Sequence, residues 1–210
     1  MNQKSNTQFS SKSPEFQDRF SNSALDFIKG VKPALEKQLG IKIMPVEDQG
    51  GELARQLDQY GIDAFYYDEC KQVRGLGSRV NYHSAAAFKP SFSFRYALYD
   101  HRKQEWDDNR EYKKKLFLSS APPDQFVLFP KLHVESFSEQ KGSGLITWSY
   151  AVRTKDVLEF IKQNIDNPAL VTIFTPKVGE LRKVVSVRVE VFGRFGEVVE
   201  VGVRNSKNGN

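Results

Sequence analysis

Between Glu52 and Arg95 the chain reads as one helix followed by three strand-like runs, and this order constrains the fold more than any other feature. Glu52 to Tyr60 carries Leu53, Leu57 and Tyr60 on one face, and Gly61 suits its C-terminal cap. Ile62 to Tyr67 is rich in aromatic residues, as strands are. Val73 to Tyr82 follows, and Ser91 to Tyr99 sets Phe92 and Phe94 against Ser93 and Arg95. These elements predict an α+β protein with a mixed central β-sheet flanked by helices.

The flanking sequence fits one globular unit over residues 22–204. Residues 1–21 are rich in Ser, Asn and Gln without an apolar period, and are expected to form a disordered arm. Leu25, Ile28, Leu35 and Leu39 predict a helix from Ser23 to Gly40, interrupted at Lys32 by Pro33. Ile41 to Val46 reads as a short strand, and Glu105 to Leu116 as a polar helix with acids early and lysines late. Beyond the proline-containing run from Ala121 to Pro130 come strands at Leu132 to Phe137 and Leu145 to Val152, then a helix from Thr154 to Asn164 with Thr154 as its cap. Lys183 to Phe192 and Glu197 to Arg204 alternate and flank Gly193-Arg-Phe-Gly196, which predicts a C-terminal β-hairpin. The polar residues 205–210 are expected to be a disordered tail.

Composition narrows the function classes. Hydrophobic residues at 39% and charged residues at 27% are ordinary for a globular protein. No apolar run approaches the roughly 20 residues that span a bilayer, and the N-terminus has no apolar signal-like region. Cys70 is the only cysteine, which excludes an internal disulfide and a thiolate zinc site, so a cytoplasmic location is the simplest expectation. The formal charge of +5 favours anionic partners, nucleic acid first.

Glu52 on its helix, Gly61-Ile62-Asp63 at a strand entry and the strand from Gly75 to Asn81 together resemble the PD-(D/E)xK nuclease superfamily, which includes restriction enzymes and Holliday-junction resolvases. The resemblance implies a restriction-endonuclease-like core in which Glu52 and Asp63 are catalytic and hold Mg²⁺. In that family the next strand supplies an acid and a lysine two residues apart, on one face of the strand. Here Arg79 and Asn81 take those positions. Arg79 suits a phosphate but ligates no metal, and Asn81 offers only an amide oxygen.

Phosphate contacts do not require catalysis. Arg74, Arg79, Arg95, Lys113, Lys114 and Lys115 are the candidate nucleic-acid-binding residues, with neighbouring tyrosines and phenylalanines as stacking surfaces or core. Glu111 could join the acids only if its helix folds back over the strands. His133-Val-Glu135 reads as a surface pair, and Gly75-Leu-Gly77 as a bulge or a close strand approach. The leading expectation is a divalent-metal-dependent nuclease acting on DNA rather than RNA. The alternatives are a non-catalytic nucleic-acid-binding module on the same scaffold, or an assembly protein of a phage or mobile element. Exposed edges of the C-terminal hairpin would allow a homodimer.

Overall fold

The computed structural model describes residues 21–46, 57, 60–82, 89–120, 129–176 and 181–201. The expected N-terminal arm through residue 20, Glu52 with most of its helix, His83 and the tail from residue 202 lie outside them. The protein is α+β, with a six-stranded mixed sheet and a second, four-stranded sheet.

The central sheet contains β1 (Ile43–Pro45), β2 (Ala64–Tyr67), β3 (Val73–Asn81), β6 (Pro130–Ser138), β7 (Ile146–Arg153) and β10 (Val198–Glu200). Its neighbours are antiparallel except β3 and β6, whose parallel pairing makes the sheet mixed. That pairing shifts register between Gly75 and Leu76, the bulge expected of the Gly75-Leu-Gly77 run. Side chains alternate across β3. Leu76 and Val80 join Ile43, Ala64 and Val134 in a core on one face, and Arg79 and Asn81 project to the other.

The first face is covered by a helix whose Phe27, Val31 and Leu35 recur every four residues and are buried against the sheet. The helix widens to a π-turn at Phe27–Val31 and then continues as α1 (Lys32–Leu39) to Gly40, which is left-handed at φ 65°. Pro33 therefore does not end the helix. The wide turn shifts the hydrogen-bond register just before the ring, where an ordinary α-helix would lose a bond. Asp26, fully buried, accepts hydrogen bonds from the Tyr82 hydroxyl (2.8 Å) and the Gly142 and Gly144 amides (2.8 and 2.6 Å), tying the helix to the β6–β7 turn. The approach is close enough that a Cβ on Gly30 would sit 2.4 Å from the Gly144 carbonyl oxygen.

The other face meets α2 (Glu111–Ser119), α3 (Thr154–Asn164) and the second sheet, formed by β4 (Ser91–Asp100), β5 (Glu105–Asp107), β8 (Thr172–Phe174) and β9 (Arg182–Arg188). Phe92 and Phe94 pack there with Val157, Leu158, Phe160 and Ile161 of α3. Thr154 is the first residue of α3 and not its cap: Arg153 precedes the helix in extended geometry, and the buried Thr154 hydroxyl has no partner among the described residues.

Two further segments depart from the sequence expectation. The polar helix begins only at Glu111, because Glu105–Asp107 pairs with Leu98–Asp100, while Trp106 packs edge-on to Tyr99 (5.5 Å) and lies beneath the Lys183 ammonium (4.5 Å). The C-terminal hairpin does not form. β9 joins the second sheet and β10 the central one, with Val189–Phe192 as a helical turn, α4, between them. Phe192 explains the turn: it is buried against Phe92 and Phe160, at 6.1 and 5.4 Å, and takes residues 189–192 out of extended geometry.

Candidate functional site

The unusual chemistry lies where β4 meets the central sheet. Over Ser91 to Arg95 one side of β4 pairs with β9, and no strand among the described residues pairs with the other side. In an antiparallel strand alternate residues direct N–H and C=O to the same side, so Ser93 and Arg95 face the unpaired edge together. Side chains take the place of the missing strand. The Ser93 amide donates to Glu135 (3.3 Å), Arg79 donates to the Ser93 carbonyl (2.7 Å), and the Arg95 amide donates to Glu111 (3.1 Å). Three charged side chains from β3, β6 and α2 thus satisfy this backbone edge, which is partly buried at Ser93.

The same groups bind one another. Arg79 Nη2 donates to Glu111 Oε2 (2.7 Å), and Lys115 Nζ donates to Glu111 Oε1 (2.9 Å). Glu135 also accepts from Asn81 Nδ2 (2.7 Å), the Ser93 hydroxyl (2.8 Å) and His133 Nε2 (3.0 Å). Four donors converging on one carboxyl group suit an ionised carboxylate, which accepts and does not donate. The carboxylate also fixes the His133 tautomer, with the proton on Nε2. His133 and Glu135 are 2% and 0% exposed, and Lys115 is 4% exposed, its ammonium over the Phe94 ring at 5.5 Å. Gly61 leaves room for that lysine: a Cβ there would lie 2.9 Å from Nζ, and its φ of 66° disfavours a side chain as well.

Burial alone would raise the Glu111 pKa, but Arg79, Lys115 and Arg95 outweigh it and hold the carboxyl well below the usual range. Burial likewise works against the Arg79 charge, and Glu111, Glu135 and Asp63 more than restore it. For His133 burial dominates, and the nearby Lys115 and Arg79 charges act in the same direction. Its pKa falls despite the bond to Glu135, so the imidazole stays neutral. A depressed folded-state pKa gives stability that is present above the unfolded value and is lost as pH falls. The unfolded histidine takes up a proton below about pH 6.5 while the folded one does not. Stability should therefore decline from that pH downward by at most about 1.4 kcal/mol per pH unit from this group. Glu111 adds a second loss below about pH 4.5. Denaturant unfolding at stepped pH checks this, and His133→Gln should flatten the upper part of the profile.

The residues expected from sequence fall into different surroundings. Arg79 and Asn81 share a face, as alternation requires, but both are engaged inside this network. Lys115 points inward with them. Asp63 stands at the entry to β2, where its Oδ2 accepts the Ser78 amide at 2.6 Å and extends the β2–β3 ladder by one bond. Its charge also reaches Arg79. Arg74 lies at the β2–β3 hairpin, bonded to Asp68 (2.7 Å) and to Gln72. Arg95, Lys113 and Lys114 are exposed: Arg95 lies 3.9 Å from Glu111, Lys113 pairs with Asp108, and Lys114 has no ion-pair partner among the described residues. Glu111 does fold back over the strands, on the shorter helix. His133 and Glu135, read from sequence as a surface pair, are the most deeply buried members of the network. The alternation of β6 was the available signal, since it puts both on the face of Phe137.

The donor set gives little support to a divalent ion. Glu111 and Glu135 are engaged with Arg79, Lys115, Asn81, Ser93 and His133, and Asp63 with the β3 backbone. Among the described residues no group of three His, Cys, Asp or Glu is placed to hold a metal, and Glu52 lies outside them. No helix among the described residues is long and apolar enough to cross a membrane. Comparison with family models, curated proteins and solved structures returned no match.

Proposed function

We propose that this protein is a nucleic-acid-binding module that acts without cleaving, and that it contacts the phosphate backbone through Arg95, Lys113 and Lys114. The supporting observation is the outer face of α2. Lys113, Lys114 and Phe117 are exposed together at helical spacing, Phe117 to 79%, while Tyr112 and Lys115 anchor the opposite face. Two cations beside an exposed aromatic ring suit a nucleic-acid backbone with an unpaired base stacked on the ring. The buried network below holds that face rigid, because Glu111 and Lys115 belong to the same helix.

Binding isotherms at several salt concentrations test this reading. Affinity should fall steeply with salt, and Lys113→Ala with Lys114→Ala should reduce the log–log slope by about 1–2. Phe117→Ala should cost about 1–3 kcal/mol on single strands and leave that slope unchanged. A flat salt response would sink the proposal.

Metal-dependent cleavage of DNA is the second reading, with Asp63 and Glu52 holding Mg²⁺. It is favoured only by the gathering of Asp63, Glu111 and Glu135 around Arg79. A nicking assay with Mg²⁺ separates the two readings: activity in the parent protein that disappears in Asp63→Ala would replace binding with catalysis.

A further inference from the structure

Sheet edges expose backbone donors and acceptors that can pair with another chain, and most edges of this protein are closed to such pairing. In β1, Pro45 has no amide proton, and the Ile43 amide already donates to Glu36 at 2.8 Å. The open side of β4 at Ser93 and Arg95 is filled by Arg79, Glu111 and Glu135. β5 carries Glu105 and Asp107 on either side of Trp106, and β10 is bracketed by Glu197 and Glu200. β8 differs. No strand among the described residues lies beyond it, all three of its residues are exposed, and no charged residue occurs from Asn167 to Pro176.

The hydrogen-bonding direction of β8 follows from the register. Ser93 and Arg95 turn their amides away from β9, so Phe92 and Phe94 face it, and Val185, paired with Phe94, faces β4. Ile173, opposite Val185, is then the β8 residue whose N–H and C=O point outward. Ile173 and Phe174 are each about two-fifths exposed and add apolar surface along this edge.

We propose that β8 is the surface through which two copies of this chain pair, antiparallel about a two-fold axis at Ile173, joining their second sheets into one. In this arrangement Ile173 exchanges both backbone hydrogen bonds with its own copy, and Thr172 lies opposite Phe174. Like charges directly opposite each other destabilise a strand pair. Self-pairing of β5 about Trp106 would set Glu105 against Asp107, whereas β8 sets no charge against another. Two copies that each carry +5 repel on average, so the neutral strip is the favoured line of approach.

Light scattering on the full chain without nucleic acid tests the pairing independently of the proposed binding activity. The mass should rise twofold as concentration increases. Ile173→Lys and Ile173→Glu should each stay at the monomer mass, and an equimolar mixture of the two should recover the twofold mass, because lysine then faces glutamate. If either variant loses its near-ultraviolet circular dichroism, the exposed Thr172→Arg is read instead and should weaken dimerisation at least tenfold. A parent protein that stays monomeric at every concentration overturns the proposal. So does a dimer that all these variants leave intact, or a mixture that stays monomeric.

Discussion

Replacing Glu135 with alanine should destabilise the protein by roughly 3–5 kcal/mol, measured by denaturant unfolding at neutral pH, which is a large part of the stability of an ordinary domain. The carboxylate is fully buried and accepts four hydrogen bonds, from Asn81, the Ser93 amide and hydroxyl, and His133. Its removal leaves those donors without their acceptor, beside Phe92 and Phe94, and each unpaired buried group costs about 1–3 kcal/mol. It also removes one of the negative charges that offset Arg79. Glu135→Gln should recover only part of the loss, since its amide nitrogen would have to face other donors. A loss below about 1 kcal/mol in the alanine variant would mean that the network is not holding the two sheets together.

Arg79→Met should cost about 2–4 kcal/mol. This is below the full penalty for breaking a buried pair, because a quarter of the arginine side chain still meets water. Methionine keeps much of the packing and loses the guanidinium, so the Ser93 carbonyl loses its donor and Glu111 keeps Lys115 as its nearest cation. A double-mutant cycle with Glu111→Gln should give a coupling of about 1–3 kcal/mol, as expected for residues in one hydrogen-bonded network. The sites belong to different elements, β3 and α2, so additivity within about 0.5 kcal/mol would show that they act independently.

How much of this was readable in the sequence depends on the range of the interaction. Arg79 and Asn81 were correctly placed on one face, because alternation along a strand is local. Their partners could not be found the same way: Asn81 and Glu135 are 54 residues apart and meet only through the parallel β3–β6 pairing. The acids of residues 105–108 suggested a helix start, but the packing of Trp106 on Tyr99 outweighed propensity, and Glu105–Asp107 paired as a strand. The alternating valines of β9 were read correctly as a strand. Their partners were not, because Phe192 draws the following residues into a turn. β8 escaped notice since three residues give too short a pattern for periodicity to register. In the candidate site the positive charges were evident, Glu111 was foreseen only on the condition that its helix folds back, and the role of Glu135 was not seen, because charge pairing depends on the tertiary fold.

The split between β9 and β10 bears on the order in which the protein can be assembled during synthesis. β9 is the central partner joining β4 to β8, and β10 covers the outer side of β7. Until residues 182–200 leave the ribosome, the second sheet has only the β4–β5 pair, and β8 has nothing to pair with. The nascent chain therefore carries open strand edges, and Phe92 lacks its Phe192 contact, until almost the whole described chain has been made.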